Sequence, residues 1–574
     1  MTTATNLFST DVLIIGGGIS ALAAANKAVE QGVDVLVVDK CTSGFSGQMP
    51  WSGGNFVTPP PDGVDRQIRF LVDEGEYLND QEFTTTFIKS CFPAVKEVAD
   101  WGIWTFPKDP EGRVILGRSG GIATMPQREM GLLAFKGRAL QKGVRFVDKV
   151  FVNNLLTNQD RIVGAVGFHY ETGEYYVFHA KEVILACGGC MYKSRPLWHV
   201  NCGEGVVMAF DAGAEFRNAE FGNMFHVSNK YTLDDGGGIV AAAWTIFENA
   251  RGESLLQKHP DIVPSKDIMP PWMRGSDARL VRILVKEILE GNGPIYVDFS
   301  QHAPPPLIID MFGERRGTTQ FSFAAKLKRL GVDITKEKIE FQLVPEFHEG
   351  PVKVNLNSET TVPGLYAVGD LSFQGSACWG ALDFYAGGNP LAYAMVTGFW
   401  AGQSAGNAAK SVPRSDFSIA QIEDIRKNIY APFNVEKGYD PYASIKDIQE
   451  IVFKIKNSLV KSEERLKFAL SKIREVKKRQ DTLKAANPHE LVRCHEAKAM
   501  AVCAEILYEA SLLRTETRST NIREDYPKRD DKNWLKWLLM RKDVDKIKFW
   551  TEPVPIEKYK YQLPKRQVDS VDIE

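Results

Sequence analysis

The run Asp11-Val-Leu-Ile-Ile-Gly-Gly-Gly-Ile-Ser-Ala21 constrains this chain more than any other segment. An apolar strand breaks into glycines and then into a helix. Roughly twenty residues on, as the dinucleotide fingerprint requires, a second apolar strand, Val35-Leu-Val-Val, ends in Asp39. The spacing predicts a strand–turn–helix–strand unit that holds a dinucleotide. Gly16 permits the tight turn, and Gly18 lets the backbone approach a pyrophosphate. Ala21 is an allowed variant at the third position. The helix entry at Ile19 and Ser20 turns N–H groups and the positive dipole end toward phosphates. Asp39, followed by Lys40, can accept from ribose hydroxyls.

A chain of 574 residues is too long for one core, so several domains are expected. Lysine and arginine number 70 against 72 acidic residues, a net charge of −2, which argues against a nucleic-acid binder. No apolar run is long enough to span a bilayer. The opening Met1-Thr-Thr-Ala-Thr-Asn-Leu-Phe8 lacks the basic and apolar regions of a secretory signal, which predicts a cytoplasmic protein. Eight scattered cysteines read as reduced thiols. Cys187-Gly-Gly-Cys190 directly follows the strand Val183-Ile-Leu-Ala186 and reads as a tight turn rather than a redox or metal pair. No cysteine run fits a cluster, so an iron–sulfur relay belongs on another chain.

Between these landmarks, residues 66–105 read as helices, with an entry at Glu76–Gln81. Residues 144–190 alternate as strands: Val144–Val147, Arg161–Val166, Glu174–Phe178 and Val183–Ala186. Within the charged, helical stretch 419–515, Ile451–Ala469 and Glu490–Leu513 are predicted as long amphipathic helices. The tail from Arg523 shows no clear period. Its basic and aromatic part, Lys528–Trp550, reads either as a docking surface or as a solvated arm.

Several separated segments fall into one order: Gly16–Ala21, Asp39-Lys40, Ser46-Gly47, Gly53-Gly54, Ala186-Cys-Gly-Gly189, Pro363-Gly-Leu-Tyr-Ala-Val-Gly-Asp370 and Gly387-Gly-Asn389. Arg514-Thr-Glu-Thr-Arg518 and Arg523–Asp531 complete them. Together they resemble the flavoprotein subunits of succinate dehydrogenase, fumarate reductase and adenylylsulfate reductase. The resemblance implies an α/β fold: a Rossmann-like FAD-binding domain with a parallel sheet, an inserted α+β capping domain and a C-terminal helical domain. The boundaries it suggests are 1–205 and 351–412 for the FAD-binding domain, 206–350 for the cap, 413–522 for the helices and 523–574 for a C-terminal arm.

The resemblance also implies FAD. Gly53-Gly54 and Gly188 bring backbone close to it, Asp370 places a carboxylate near its ribityl–phosphate end, and Gly388-Asn389 opens a helix toward the flavin pyrimidine edge. In succinate dehydrogenases a histidine bound covalently to FAD follows the equivalent of Ser46. Here that residue is Gly47, as in adenylylsulfate reductases, so FAD is expected to be non-covalent. In the family the covalent bond raises the flavin potential enough to oxidise succinate. Its absence favours the reductive direction or a couple of lower potential.

Fumarate reductases of this family pass hydride from the flavin to a polarised C=C while an arginine delivers the proton. Glu248-Asn-Ala-Arg-Gly-Glu253 resembles the segment bearing that arginine, which gives the place to Arg251, with Glu253 as a relay. Pro345-Glu-Phe-His348 and Glu220–His226 resemble the segments of two clamp histidines, His348 and His226. A second clamp arginine of the family is replaced by Tyr385. With Trp379, this ring suits an aromatic or larger ligand rather than succinate. Gly236–Trp244 and Glu287–Tyr296 resemble adenylylsulfate reductase equally well, although the residues that hold its sulfate group are not evident. The expectation is an FAD-dependent reductase acting on a small molecule with an activated C=C, supplied with electrons by an iron–sulfur or ferredoxin-like partner. The alternatives are a flavoprotein of the adenylylsulfate reductase type that acts on sulfur, and an electron relay without a small-molecule substrate.

Overall fold

The strand β1 (Thr5–Ile15) runs at the centre of a seven-stranded sheet, with Val12, Leu13 and Ile14 fully buried. Runs of valine, isoleucine and leucine without alternation suit a strand covered on both faces. The structure, a computed structural model, describes residues 5–51, 54–59, 61–104, 122–124, 128–194, 200–221, 223–227, 247–259, 278–298, 330–333, 336–346, 350–381, 389–519, 521–544 and 546–564.

After β1 come α1 (Ile19–Val29) and β2 (Val35–Val38), then the helices α2 (Val64–Glu74) and α3 (Gln81–Asp100), with the two-stranded ribbon β3 (Asn55–Val57) and β4 (Ile122–Thr124). Asp80 caps α3 by accepting from Phe83 N, at the helix entry predicted from sequence. Helix α4 (Arg128–Gln141) leads to β5 (Arg145–Val147), β6 (Val150–Asn158), β7 (Arg161–His169) and β8 (Tyr175–Leu185). The sheet order is β5-β2-β1-β8-β7-β6. Strands β5, β2, β1 and β8 are parallel, whereas β6, β7 and β8 form antiparallel pairs. The two segments read separately at 174–178 and 183–186 are thus one long strand. Its first half pairs with β7, and its second half takes β14 (Leu365–Ala367) in parallel.

The middle of the chain adds α5 (Glu204–Asp211), the short β9 (Phe216–Arg217) and an antiparallel sheet. That sheet has the order β10 (Asn223–Val227), β13 (Ile339–Glu346), β12 (Ile295–Val297) and β11 (Phe247–Glu248), with α6 (Ala278–Leu289) beside it. Helix α7 (Asn389–Ser411) returns to the first sheet and lies on α1. Gly398, Gly402 and Gly406 make that approach close. A Cβ on Gly402 would stand 2.2 Å from Ala24 O, and one on Gly398 2.5 Å from Ser20 O.

Beyond Ser418 the chain is helical: α8 (Ile419–Tyr430), α9 (Pro441–Val452), α10 (Glu463–Arg479) and α11 (Pro488–Leu513). The single helix expected over Ile451–Ala469 does not form. The chain turns after Val452, spends Val460–Lys461 as β15 against β16 (Ile522–Arg523), and restarts where Ser462 caps α10. The tail is also more ordered than its sequence suggested. Strands β17 (Lys536–Asp543) and β18 (Lys546–Pro553) form a hairpin, and β17 pairs with β9. Trp537 Nε1 donates to Leu78 O at 2.7 Å, and the Arg217 guanidinium lies 4.7 Å from the Trp537 ring centroid.

A buried charged joint holds these parts together. Arg514 Nε meets Glu220 Oε1 at 2.6 Å and its Nη1 meets Glu516 at 2.9 Å. The remaining Arg514 donors reach Trp534 O and Lys536 O. Arg518 pairs with Glu516 at 2.7 Å and with Asp531 at 2.8 Å. Arg514, Arg518, Glu220 and Glu516 are all 0% exposed. The family segment Arg514–Arg518 therefore acts here as a structural clasp.

Candidate cofactor and active site

The dinucleotide unit forms as its sequence predicted. Gly16 has φ +120°, and a Cβ there would fall 2.3 Å from Ala186 O, so the turn between β1 and α1 tolerates only glycine. A Cβ on Gly17 would meet Asp39 Oδ2 at 2.4 Å. Gly18 differs. Its φ is −80°, and a Cβ there would have nothing nearer than the Gly47 Cα at 3.8 Å. The protein itself does not require glycine at 18; a ligand laid against the turn does. Gly18 is also the N-cap of α1, and no side chain caps the helix. Its first N–H groups are thus available to an anion.

A cavity opens over this turn. Its walls include Gly16–Ser20, Asp39-Lys40, Ser46–Met49, Gly188, Asp370 and the first turn of α7 at Pro390 and Leu391. Gln48 Nε2 is buried in this wall with no partner, and Asp39 Oδ2 and Ser46 Oγ are buried beside it, Ser46 and the Cys41 backbone standing near the Asp39 carboxylate without a hydrogen bond of normal geometry to Oδ2. Buried polar atoms rarely stay unanswered, so they mark where ligand groups bind. Burial pushes the carboxyl of Asp39 above its ordinary value and that of Asp370 up to about 6. Both would gain from hydroxyl donors such as those of a ribose or ribityl chain. The donor set, the uncapped helix and the space over Gly18 fit FAD.

Among the other predicted residues, Ala21 is fully buried under the turn. Gly54 is buried ahead of β3, and Asn389 is the buried first residue of α7. Gly53, Tyr385, Gly388 and His348 lie outside the described residues. His226 takes a place on β10 opposite Leu343 of β13. Arg251, Glu253 and Trp379 take the following places. Arg251 and Glu253 lie on an exposed turn, where Asn249 Oδ1 accepts from both backbone N–H groups and Glu253 pairs with Lys258. Trp379 is fully buried, stacked on Phe373 at 4.7 Å and edge-on to Phe87, so it belongs to the core rather than to a ligand wall. The turn after β8 holds free thiols. Burial pushes Cys187 up to about 12 and raises Cys190 well above its ordinary value, which suits packing rather than redox work.

Sequence reasoning missed one end of the cavity. Phe151, Asn201, Glu204 and Met208 line it, and Glu204 Oε1 receives Lys40 Nζ at 2.6 Å. These residues come from β6, a loop and α5, far from the glycine turn in sequence. The local signal was Gly203-Glu204-Gly205, an acid between glycines at a helix start.

Fold and cavity define a flavin-dependent oxidoreductase, and comparison with known proteins gives its kin. The FAD binding domain family matches residues 11–388, and the fumarate reductase flavoprotein C-terminal family matches 446–568. The chain belongs to the FAD binding domain family of FAD-dependent oxidoreductases and carries the C-terminal region of fumarate reductase flavoproteins. It is 28% identical over 543 residues to an FAD-dependent oxidoreductase of Methanocaldococcus jannaschii described as uncharacterized, covering 90% of this chain and 94% of that one. It is 24% identical over 567 residues to one of the subunits of the fumarate reductase (CoM/CoB) of Methanothermobacter marburgensis, covering 94% and 98%. Among solved structures, adenylylsulfate reductase of Archaeoglobus fulgidus superposes with a TM-score of 0.78 at 21% identity, over 96% of this chain and 97% of that one. Escherichia coli quinol fumarate reductase superposes with 0.81 at 21% identity, over 98% and 99%. These two likenesses establish the fold. No helix among the described residues is long and apolar enough to cross a membrane.

Proposed function

We propose that this protein is the flavoprotein subunit of a cytoplasmic reductase that passes electrons to a small oxidised substrate, an enoate-like compound with an activated C=C. Electrons would arrive from an iron–sulfur or ferredoxin-like partner, because the scattered cysteines offer no cluster motif. Bound FAD supplies the two-electron chemistry. Gly16–Ser20 would hold its pyrophosphate, Asp39 its ribose and Asp370 its ribityl chain. The observation that carries the reductive direction is Gly47. It lies close against Gly18 on the cavity wall and has no side chain with which to bond to FAD, which favours a lower flavin potential. His226, His348 and Tyr385 are the candidate substrate contacts.

Stopped-flow mixing of the photoreduced protein with fumarate, larger enoates and adenylylsulfate tests the reading. Fast flavin reoxidation by an enoate supports it. Reoxidation by adenylylsulfate alone would move the protein to sulfur chemistry. Inertness toward all of them, with fast reoxidation by a protein partner, would make it an electron relay. Acid precipitation tests the linkage: yellow colour retained on the pellet would overturn non-covalent binding.

A further inference from the structure

Helix α11 contributes no residue to the cavity wall among the described residues, yet two consecutive side chains of α11 stand directly behind that wall. Glu496 is 2% exposed. Its Oε1 is 3.4 Å from Lys40 Nζ, its Oε2 is 3.0 Å from Lys193 Nζ, and Arg493, one turn earlier, pairs with the same carboxylate. Lys40 is part of the wall beside Asp39. Lys193 lies in the loop that begins on the wall at Cys187-Gly188. One carboxylate from the helical region therefore ties together two segments of the FAD-binding region that are about 150 residues apart in sequence.

His495 adds to this. Its ring lies 6.1 Å from that of the wall residue Phe151, at 27° to it, and Lys40 Nζ is 5.9 Å from the same Phe151 ring. On the cavity side, Glu204 holds Lys40 at 2.6 Å. The lysine amine thus stands between one carboxylate of the cavity and one of the helical region. Cys202, Glu204 and Glu496 come near enough together to suggest a metal, but Lys40, Lys193 and Arg493 already pair with the two acids. Burial works against the charged amine, yet Glu204 and Glu496 hold its pKa well above the ordinary lysine value. Burial likewise opposes the Glu496 carboxylate, and Lys40, Lys193 and Arg493 outweigh it and keep it ionised.

We propose that Glu496 is a positioning residue for FAD: by fixing Lys40 and Lys193 it sets the wall around the adenosine end, so that FAD binding and the seating of the helical region strengthen each other. The proposal rests on the FAD site and is independent of the substrate assigned above.

The test is FAD affinity, read from quenching of flavin fluorescence as the deflavinated full-length protein is titrated with FAD. Glu496→Gln is expected to raise Kd about tenfold. Glu505→Gln, which removes pairs of Arg474 and Lys477 on the same helix, should leave Kd unchanged. Lys40→Met combined with Glu496→Gln should weaken binding by less than the two single effects multiplied together, because both changes break the Lys40 link and only the second also frees Lys193. A merely structural ion pair would lower the melting temperature of the apo protein and leave Kd untouched, so a Kd within twofold of wild type for Glu496→Gln overturns the proposal. Should that variant not fold, hydrogen exchange on the wild type decides. FAD should slow amide exchange within residues 488–500, and no such protection would overturn the proposal. Failure of the wild type to bind FAD at all would instead overturn the cofactor site itself.

Discussion

The FAD cavity and the Arg514 joint are both polar and both buried, but the guanidinium donors of the joint are met, with Glu220 Oε2 left over, whereas the cavity wall leaves polar atoms facing open space. In the joint, Arg514 satisfies its donors on Glu220, Glu516 and two carbonyls, and Arg518 does so on Glu516, Asp531 and Glu76 O. In the cavity, Gln48 keeps a buried amide unanswered, Asp39 and Ser46 have little beyond each other, and the α1 N-terminus has no side-chain cap. Leaving a buried polar atom unmade costs about 1–3 kcal/mol. Such atoms gathered on the wall of an open cavity suit a ligand that answers them. Polar satisfaction therefore separates a structural clasp from a binding site even where the residue types are alike.

The largest expected effect breaks the satisfied side. Arg514→Met leaves Glu220 and Glu516 buried with one cation removed, and should cost about 4 kcal/mol. The check is denaturant unfolding, in which saturating FAD should not restore the lost stability relative to wild type. The next tests the unsatisfied side. Gly18→Ala meets no clash within the protein, so the apo melting temperature should stay within about a degree of wild type, as small surface changes do. FAD binding should weaken by about a hundredfold, ~2.7 kcal/mol, in a flavin fluorescence titration. A large loss of apo stability would show that the space over Gly18 belongs to the fold.

A third prediction concerns pH. His495 is 8% exposed and donates from Nε2 to Ile429 O. Burial, aided by Lys498 and opposed by that carbonyl, pushes its pKa down to about 4. A histidine with a folded pKa below its unfolded value of about 6.5 resists protonation in the fold, so its contribution is intact above pH 6.5 and is lost as pH falls toward 4. Between pH 7 and pH 5 this group should remove about 2 kcal/mol. His495→Gln should flatten the stability profile in that window while leaving the steeper loss below pH 4.5, where Glu496 and other depressed carboxylates titrate. The smallest effect is at the surface. Lys96 and Asp100 form an i,i+4 pair at 2.6 Å with side chains 60% and 63% exposed. Lys96→Ala should change stability by less than about 0.5 kcal/mol and leave FAD affinity alone.

What could be read from the sequence follows how local each feature is. The turn at Gly16–Ala21 and the acid at Asp39 lie within one strand–helix–strand unit, so their spacing alone located them. Lys40 was recognised too, but its partners Glu204 and Glu496 arrive from α5 and α11, and no short window contains all three. The break inside Ile451–Ala469 was masked because the apolar spacing continues through it; the clue was Ser462, a helix cap followed by two glutamates. In β18 the alternation Lys546-Ile547-Lys548-Phe549 was visible, but Trp550 interrupts it and β17 has four consecutive buried residues, so neither strand showed a clean period. Arg251 and Trp379 were placed by motif position and residue type. Burial, which sequence does not report, sent the first to solvent and the second to the core.

The glycines of α7 carry one more consequence. The start of that helix, at Pro390 and Leu391, borders one stretch of the cavity, and the start of α1, at Gly18 to Ser20, borders another. Since Gly398, Gly402 and Gly406 press α7 onto the backbone of α1, the two borders behave like the jaws of a caliper locked at a single seam. From Leu391 to Gly398 the helix advances only about 10 Å, so there is little slack between lock and jaw. A methyl group added at the seam would reset the gap at the far end, and FAD would register the error as a misfit without any residue that touches it having changed.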